Sequence, residues 1–163
     1  MCNKFQNDVF VFSIRYALRQ TLTTSVTRIY VAMAKTIHSM IRVLDEARSV
    51  DFYSKAFDLK VADRLDFDSF TLVYMSNAEQ EFELELTINK GRTEAYDLGD
   101  GYGHLAVSCS DLEAEYEKVK ALGMEPRDIV EFNVEGTLIA KFFFVKDPDG
   151  YDIEVLQRYG RFK

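Results

Sequence analysis

His38 and His104 are the only histidines in 163 residues, and each opens a short apolar run with an aspartate seven residues on. The runs are His38-Ser-Met-Ile-Arg-Val-Leu-Asp45 and His104-Leu-Ala-Val-Ser-Cys-Ser-Asp111. Carboxylates repeat likewise, Glu85 in Glu83-Leu-Glu85-Leu86 and Glu154 in Asp152-Ile-Glu154-Val155. The histidines are 66 residues apart and the glutamates 69, so one offset of about that size relates two halves of the chain. Halves related by a pseudo-twofold axis would bring two imidazoles and two carboxylates together, a donor set for a divalent metal ion. A lone histidine at a strand start is ordinarily a half-exposed structural residue, but two in register, each with a strand glutamate, call for another account. Glu154 weighs most, because a carboxylate among Ile153, Val155 and Leu156 needs a counter-charge or a metal. Glu83 shares a face with Glu85, so both stand as candidates. The acidic run Glu113 to Glu117 reads as the wet face of a helix.

These residues must be held by regular elements. Ile37, Met40, Ile41 and Val43 read as a strand ending at Leu44-Asp45. Asp45 is placed to cap a helix whose apolar spacing runs through Ala47, Val50, Tyr53 or Ser54, and Phe57. Strands follow at Lys60 to Leu65, Phe70 to Met75 and Glu81 to Ile88. The last alternates, with Phe82, Leu84 and Leu86 on a packed face and Glu81, Glu83, Glu85 and Thr87 on a polar one. The second half repeats the order. A strand from His104 to Cys109 leads to Ser110-Asp-Leu-Glu113, a capping-box pattern. The helix stripe is Leu112, Tyr116, Val119 and Leu122, with Gly123 as terminator. Strands are expected around Glu125 to Val130, Leu138 to Val145 and Tyr151 to Leu156, with Asp147-Pro-Asp-Gly150 turning between the last two. Gly99, Gly101 and Gly103 mark the link between halves. The expected fold is α+β: two βαβββ repeats forming an open, curved mixed sheet.

Length and composition predict one domain with a substantial core, at 47% hydrophobic residues with 13 Phe and 9 Tyr. Residues 1–35 carry five basic groups against Asp8 alone, a net of +4, so the other 128 residues carry −11 of the total −7. An Arg-, Ser- and Thr-rich start resembles an organellar presequence, while Met33 offers a second translation start. Residues 1–32 are therefore expected to be an N-terminal extension, disordered or outside the native domain, with the domain over 33–163. So acidic a domain is a poor partner for nucleic acid or an anionic membrane surface, and no apolar run is long enough to span a bilayer. Two cysteines in dissimilar settings suit a reducing compartment, and a cytoplasmic location is expected.

From Met33 to Arg158 the chain resembles the glyoxalase I family of the vicinal-oxygen-chelate superfamily. The matching segments are His38-Ser-Met-Ile-Arg42, Asp51-Phe-Tyr53, Glu85-Leu-Thr-Ile-Asn89, Gly101-Tyr-Gly-His104 and Asp147-Pro-Asp-Gly-Tyr-Asp-Ile-Glu154. The resemblance implies His38, Glu85, His104 and Glu154 as metal ligands, choosing Glu85 over Glu83. It further implies isomerisation of the methylglyoxal–glutathione hemithioacetal to S-D-lactoylglutathione, the metal stabilising a cis-enediolate as a Lewis acid. Glu154 would be the base moving the proton, Glu85 its symmetry-related partner, and Arg42 and Asn89 would hold the glutathione moiety. Asp100 stands where some members carry an arginine that anchors glutathione. His38, where zinc-dependent members have Gln, and the short domain resemble the bacterial class activated by nickel or cobalt rather than zinc. In that class the sites lie at a homodimer interface, each with ligands from two chains.

Other functions occur on this fold. Acyl-CoA epimerases commonly have Gln at the Glu85 position. Ring-cleaving dioxygenases and thiol transferases use three protein ligands, which leaves Glu85 unexplained. A non-catalytic small-molecule-binding module gains nothing from four metal-seeking groups.

Overall fold

The aspartate trailing each histidine by seven residues is the N-cap of a helix. The structure, a computed structural model, describes residues 33–163, so the extension expected over residues 1–32 lies outside the described residues. Asp45 accepts from the Arg48 amide at 2.9 Å and starts α1 (Glu46–Phe57); Asp111 accepts from the Ala114 amide at 2.9 Å and starts α2 (Leu112–Ala121). Both caps have extended backbone, as a residue accepting the first free amides must. Ser110, the first residue of the capping-box pattern, is therefore not the cap. Asp111 takes that place, and Glu113 pairs with Lys141 instead of reaching back. Gly123, at φ 79°, follows α2 as expected.

The strands are β1 (His38–Arg42), β2 (Lys60–Asp66), β3 (Phe70–Ser76), β4 (Glu83–Asn89), β5 (Leu105–Cys109), β6 (Val130–Val134), β7 (Thr137–Lys146) and β8 (Asp152–Gln157). Each half is βαβββ, as expected, and folds into its own open four-stranded mixed sheet. The orders are β1-β4-β3-β2 and β5-β8-β7-β6, with the β1–β4 and β5–β8 pairings parallel and the rest antiparallel. The glutamate-bearing strands β4 and β8 are thus interior strands.

Three expectations need correcting. The strand read at Glu125 to Val130 begins only at Val130 and runs to Val134. Pro126 has no amide to give a ladder, and the hairpin is set by Glu135-Gly136, both at positive φ (49° and 78°), a two-residue turn suited to antiparallel strands. The buried face of α1 is Ser49, Phe52, Tyr53 and Ala56 rather than a stripe through the exposed Ala47. At the centre of β4 both faces are buried, since Glu85 and Thr87 on the supposedly polar side are each 8% exposed.

One core joins the halves, with Ile41, Val73, Leu86, Phe143, Ile153 and Val155 packed together beneath the helices. Polar contacts clasp it. The Asp147-Pro-Asp-Gly150 turn joins β7 and β8 as expected, with Gly150 at φ 95°. It also reaches across to the first half. Asp149 accepts from the Leu44 amide at 3.1 Å, from Arg48 Nη2 at 3.1 Å and from Ser49 Oγ at 3.3 Å, which places a carboxylate at the start of α1 where free amides and the helix dipole favour it. Tyr53 donates to Asp147 Oδ2 at 3.0 Å, and Tyr151 both donates to the Arg42 carbonyl (3.2 Å) and accepts from its amide (3.3 Å). These bonds explain the rotation of α1, because Ser49 is fully buried to meet Asp149. Asp149→Ala should lower unfolding free energy by about 2–3 kcal/mol, since three donors lose a charged acceptor. Urea unfolding checks this, and an unchanged midpoint would remove the clasp.

Candidate metal centre

Parallel pairing with a fixed stagger brings each histidine to its glutamate. His38 is level with Glu83 across β1–β4, but its ring leans along the strands to Glu85, one step further on the same face. His38 Nε2 lies 3.3 Å from Glu85 Oε2. In the second half Leu105 is level with Ile153, so His104 stands level with Asp152 and again reaches the glutamate two residues on. His104 Nε2 lies 3.1 Å from Glu154 Oε2. The same stagger thus selects Glu85, not Glu83, as the contact of His38. The histidine side chains are 37% and 41% exposed and the carboxylates 10% and 16%, so both pairs open outward from sheltered acids.

Aromatic rings border each pair. The His38 ring meets Tyr74 edge-on with centroids 5.7 Å apart, and His104 meets Phe144 in the same way at 5.3 Å. Tyr74 is level with Glu85, and Phe144 with Glu154. Glu85 has a further partner: Thr87 Oγ1 donates to Oε1 at 3.2 Å, and Tyr74 stands level with the glutamate on β3. Burial and the nearby Glu85 carboxylate hold the Tyr74 pKa above its ordinary value. Sequence reading missed both hydroxyls. The available signal was Thr87 and Tyr74 standing on the outward side of their strands, beside the candidate ligand.

Among the described residues, no three His, Cys, Asp or Glu side chains gather in one place that could hold a metal. One chain therefore supplies two His–Glu half-sites rather than a four-ligand centre. Their chemistry fits a divalent transition metal: two half-sites together offer two imidazole nitrogens and two carboxylates, whose charges match a 2+ ion.

Arg42 and Asn89 lie together at the far end of the first sheet's outer face. Arg42 is four residues from His38 and Asn89 four from Glu85, about 13 Å along the strands. Arg42 is exposed and lines a cavity of about 220 Å³ with Tyr96, Tyr102 and Tyr151. Asn89 donates its amide to the Tyr96 hydroxyl at 2.9 Å, and the Arg92 guanidinium stacks on the Tyr96 ring at 4.1 Å. Cys109 lies apart from both pairs. Burial and the nearby Glu115 push its thiol up to about 11, so it is protonated at neutral pH and unsuited to nucleophilic work.

A duplicated βαβββ unit with one histidine and one interior-strand glutamate per copy defines a class of protein. Residues 35–155 match the glyoxalase/bleomycin resistance protein/dioxygenase superfamily, and the chain belongs to that family. A lactoylglutathione lyase of Neisseria meningitidis serogroup A is 38% identical over 76% of this chain and 91% of its own length. The trypanothione-dependent glyoxalase I of Leishmania major is 32% identical, with a TM-score of 0.63 over 77% of this chain and 87% of that one. Glyoxalase I from Zea mays is 30% identical, with a TM-score of 0.68 over 77% of this chain and 45% of its own.

Proposed function

We propose that this chain is a lactoylglutathione lyase, converting the methylglyoxal–glutathione hemithioacetal to S-D-lactoylglutathione. The observation that carries the reading is the pair of matching His–Glu half-sites, in a chain whose relatives bear that name. His38 and Glu85 would hold the metal together with His104 and Glu154, and nickel or cobalt would be favoured over zinc. When bound, the ion supplies Lewis acidity to the substrate's adjacent oxygens.

The chain's own side chains do the rest. Glu154 takes the proton from one carbon and returns it to its neighbour. Arg42 grips a glutathione carboxylate with its forked guanidinium, and Asn89 hydrogen-bonds the peptide portion. Their spacing from the half-site, about 13 Å along the strands, leaves room for the sulfur of the central cysteine at the metal and a terminal carboxylate within reach of the Arg42 side chain.

The two half-sites of one chain do not meet, so a complete centre needs a second copy: His38 and Glu85 of one chain face His104 and Glu154 of its partner in a homodimer. Apolar side chains on the same outward faces support this arrangement. Leu65, level with Leu72, is 41% exposed on the first sheet, and Val130 and Phe132 are 45% and 52% exposed on the second. Such patches beside polar sites are interface material. Among the described residues no helix is long and apolar enough to cross a membrane, and a cytoplasmic location is proposed.

The test is reconstitution. Apoprotein should convert the preformed hemithioacetal, followed by thioester absorbance, once nickel or cobalt is restored, and only weakly with zinc. No turnover with any metal, alongside tight ligand binding, would favour a binding module instead.

A further inference from the structure

The two halves keep the same His–Glu pairs but differ in the hydroxyls around them. Tyr74 stands level with Glu85, whereas Phe144 stands level with Glu154. Two residues beyond the glutamates are Thr87 in the first half and Leu156 in the second. Both hydroxyl positions of one half are therefore apolar in the other.

The consequence for each carboxylate is direct. Glu85 is met on both oxygens, by Thr87 Oγ1 on Oε1 at 3.2 Å and by His38 Nε2 on Oε2 at 3.3 Å, and Tyr74 stands level with it on the neighbouring strand, its ring edge-on to His38 at 5.7 Å. Among the described residues Glu154 has one polar side-chain partner, His104 at 3.1 Å. A carboxylate met on both oxygens and hemmed by a neighbouring hydroxyl has more contacts to give up on turning than one met on a single oxygen. Thr87 sits on the same strand as Glu85, so its bond alone would be a local accident. Tyr74 comes from β3, and two separate strands have lost the hydroxyl in the other half.

We propose that Tyr74 and Thr87 are positioning residues that pin Glu85 as the fixed acid of the site, and that their apolar counterparts leave Glu154 free to swing between metal and substrate. This rests on the metal-dependent reading above. The duplication supplies two equivalent acids, and the hydroxyls divide the labour between them.

The test compares two double variants of the full chain. In Tyr74→Phe/Thr87→Val the shape is kept and both hydroxyls are lost. Nickel(II) affinity of the apoprotein, measured by competition with a chromogenic chelator, should fall about ten- to a hundred-fold, with the apoprotein melting temperature unchanged. In Phe144→Tyr/Leu156→Thr the hydroxyls are supplied to Glu154. Nickel affinity should be kept or tightened while kcat falls at least about ten-fold at unchanged KM; Phe144→Tyr alone, which leaves the buried Leu156 in place, should move kcat the same way. Nickel affinity unaltered in the first variant, or kcat unaltered in both second-half variants, would overturn the proposal. A parent that binds nickel without isomerising the adduct would instead overturn the function, and the affinity comparison would still decide the pinning of Glu85.

Discussion

Glu154→Gln should abolish turnover while leaving the fold in place. The exchange keeps size and hydrogen-bonding capacity but removes the negative oxygen that accepts a proton. General base catalysis is worth about 10²–10⁴-fold in rate, and a loss of that order in kcat is expected on the preformed hemithioacetal. Glu154 sits in β8 with a side chain 16% exposed, so the amide meets solvent in part and no buried charge is stranded. Melting temperature and circular dichroism should therefore match the parent. Glu85→Gln should behave differently, losing metal affinity first, because that carboxylate is met on both oxygens, by Thr87 and His38. A Glu154→Gln protein with full activity would remove Glu154 as the base.

Mixing two inactive proteins should restore activity. One carries His38→Ala and Glu85→Ala, the other His104→Ala and Glu154→Ala. Each alone has every site broken. In a mixed dimer one site receives both damaged halves and the other both intact halves. Random exchange makes about half of the dimers mixed, each with one working site of two, so roughly a quarter of parental activity should return. Refolding the two chains together from denaturant, then measuring turnover per mole of protein with nickel in excess, reads this out. If the four ligands came from one chain, no mixture would recover anything, so the absence of recovery would remove the two-chain centre.

What could be seen from the amino-acid order was whatever repeats locally. The two capping aspartates and the Asp-Pro-Asp-Gly turn are each written within about ten residues and carry fixed backbone demands, and the His–Glu pairs show because one offset repeats them. What escaped was written across distance. Tyr53 and Asp147 are 94 residues apart, and Ser49 and Asp149 are 100. No window along the chain shows that a serine will be wholly buried on α1 because a carboxylate from the other half meets it there. The alternation expected of β4 is present, but its polar face is buried at Glu85 and Thr87, on a strand flanked by β1 and β3. The start of β6 lies at Val130, past Pro126, because the Glu135-Gly136 turn sets the hairpin register from the far end.

A perfectly even pair of halves would greet a two-ended substrate ambiguously. The two glutamates would then stand in the same surroundings, and nothing around them would single one out to carry the proton. Tyr74 against Phe144 and Thr87 against Leu156 break that evenness with four side chains, none of them a ligand candidate. Handedness in a doubled protein can thus come from small oxygen-for-carbon differences beside an unchanged centre.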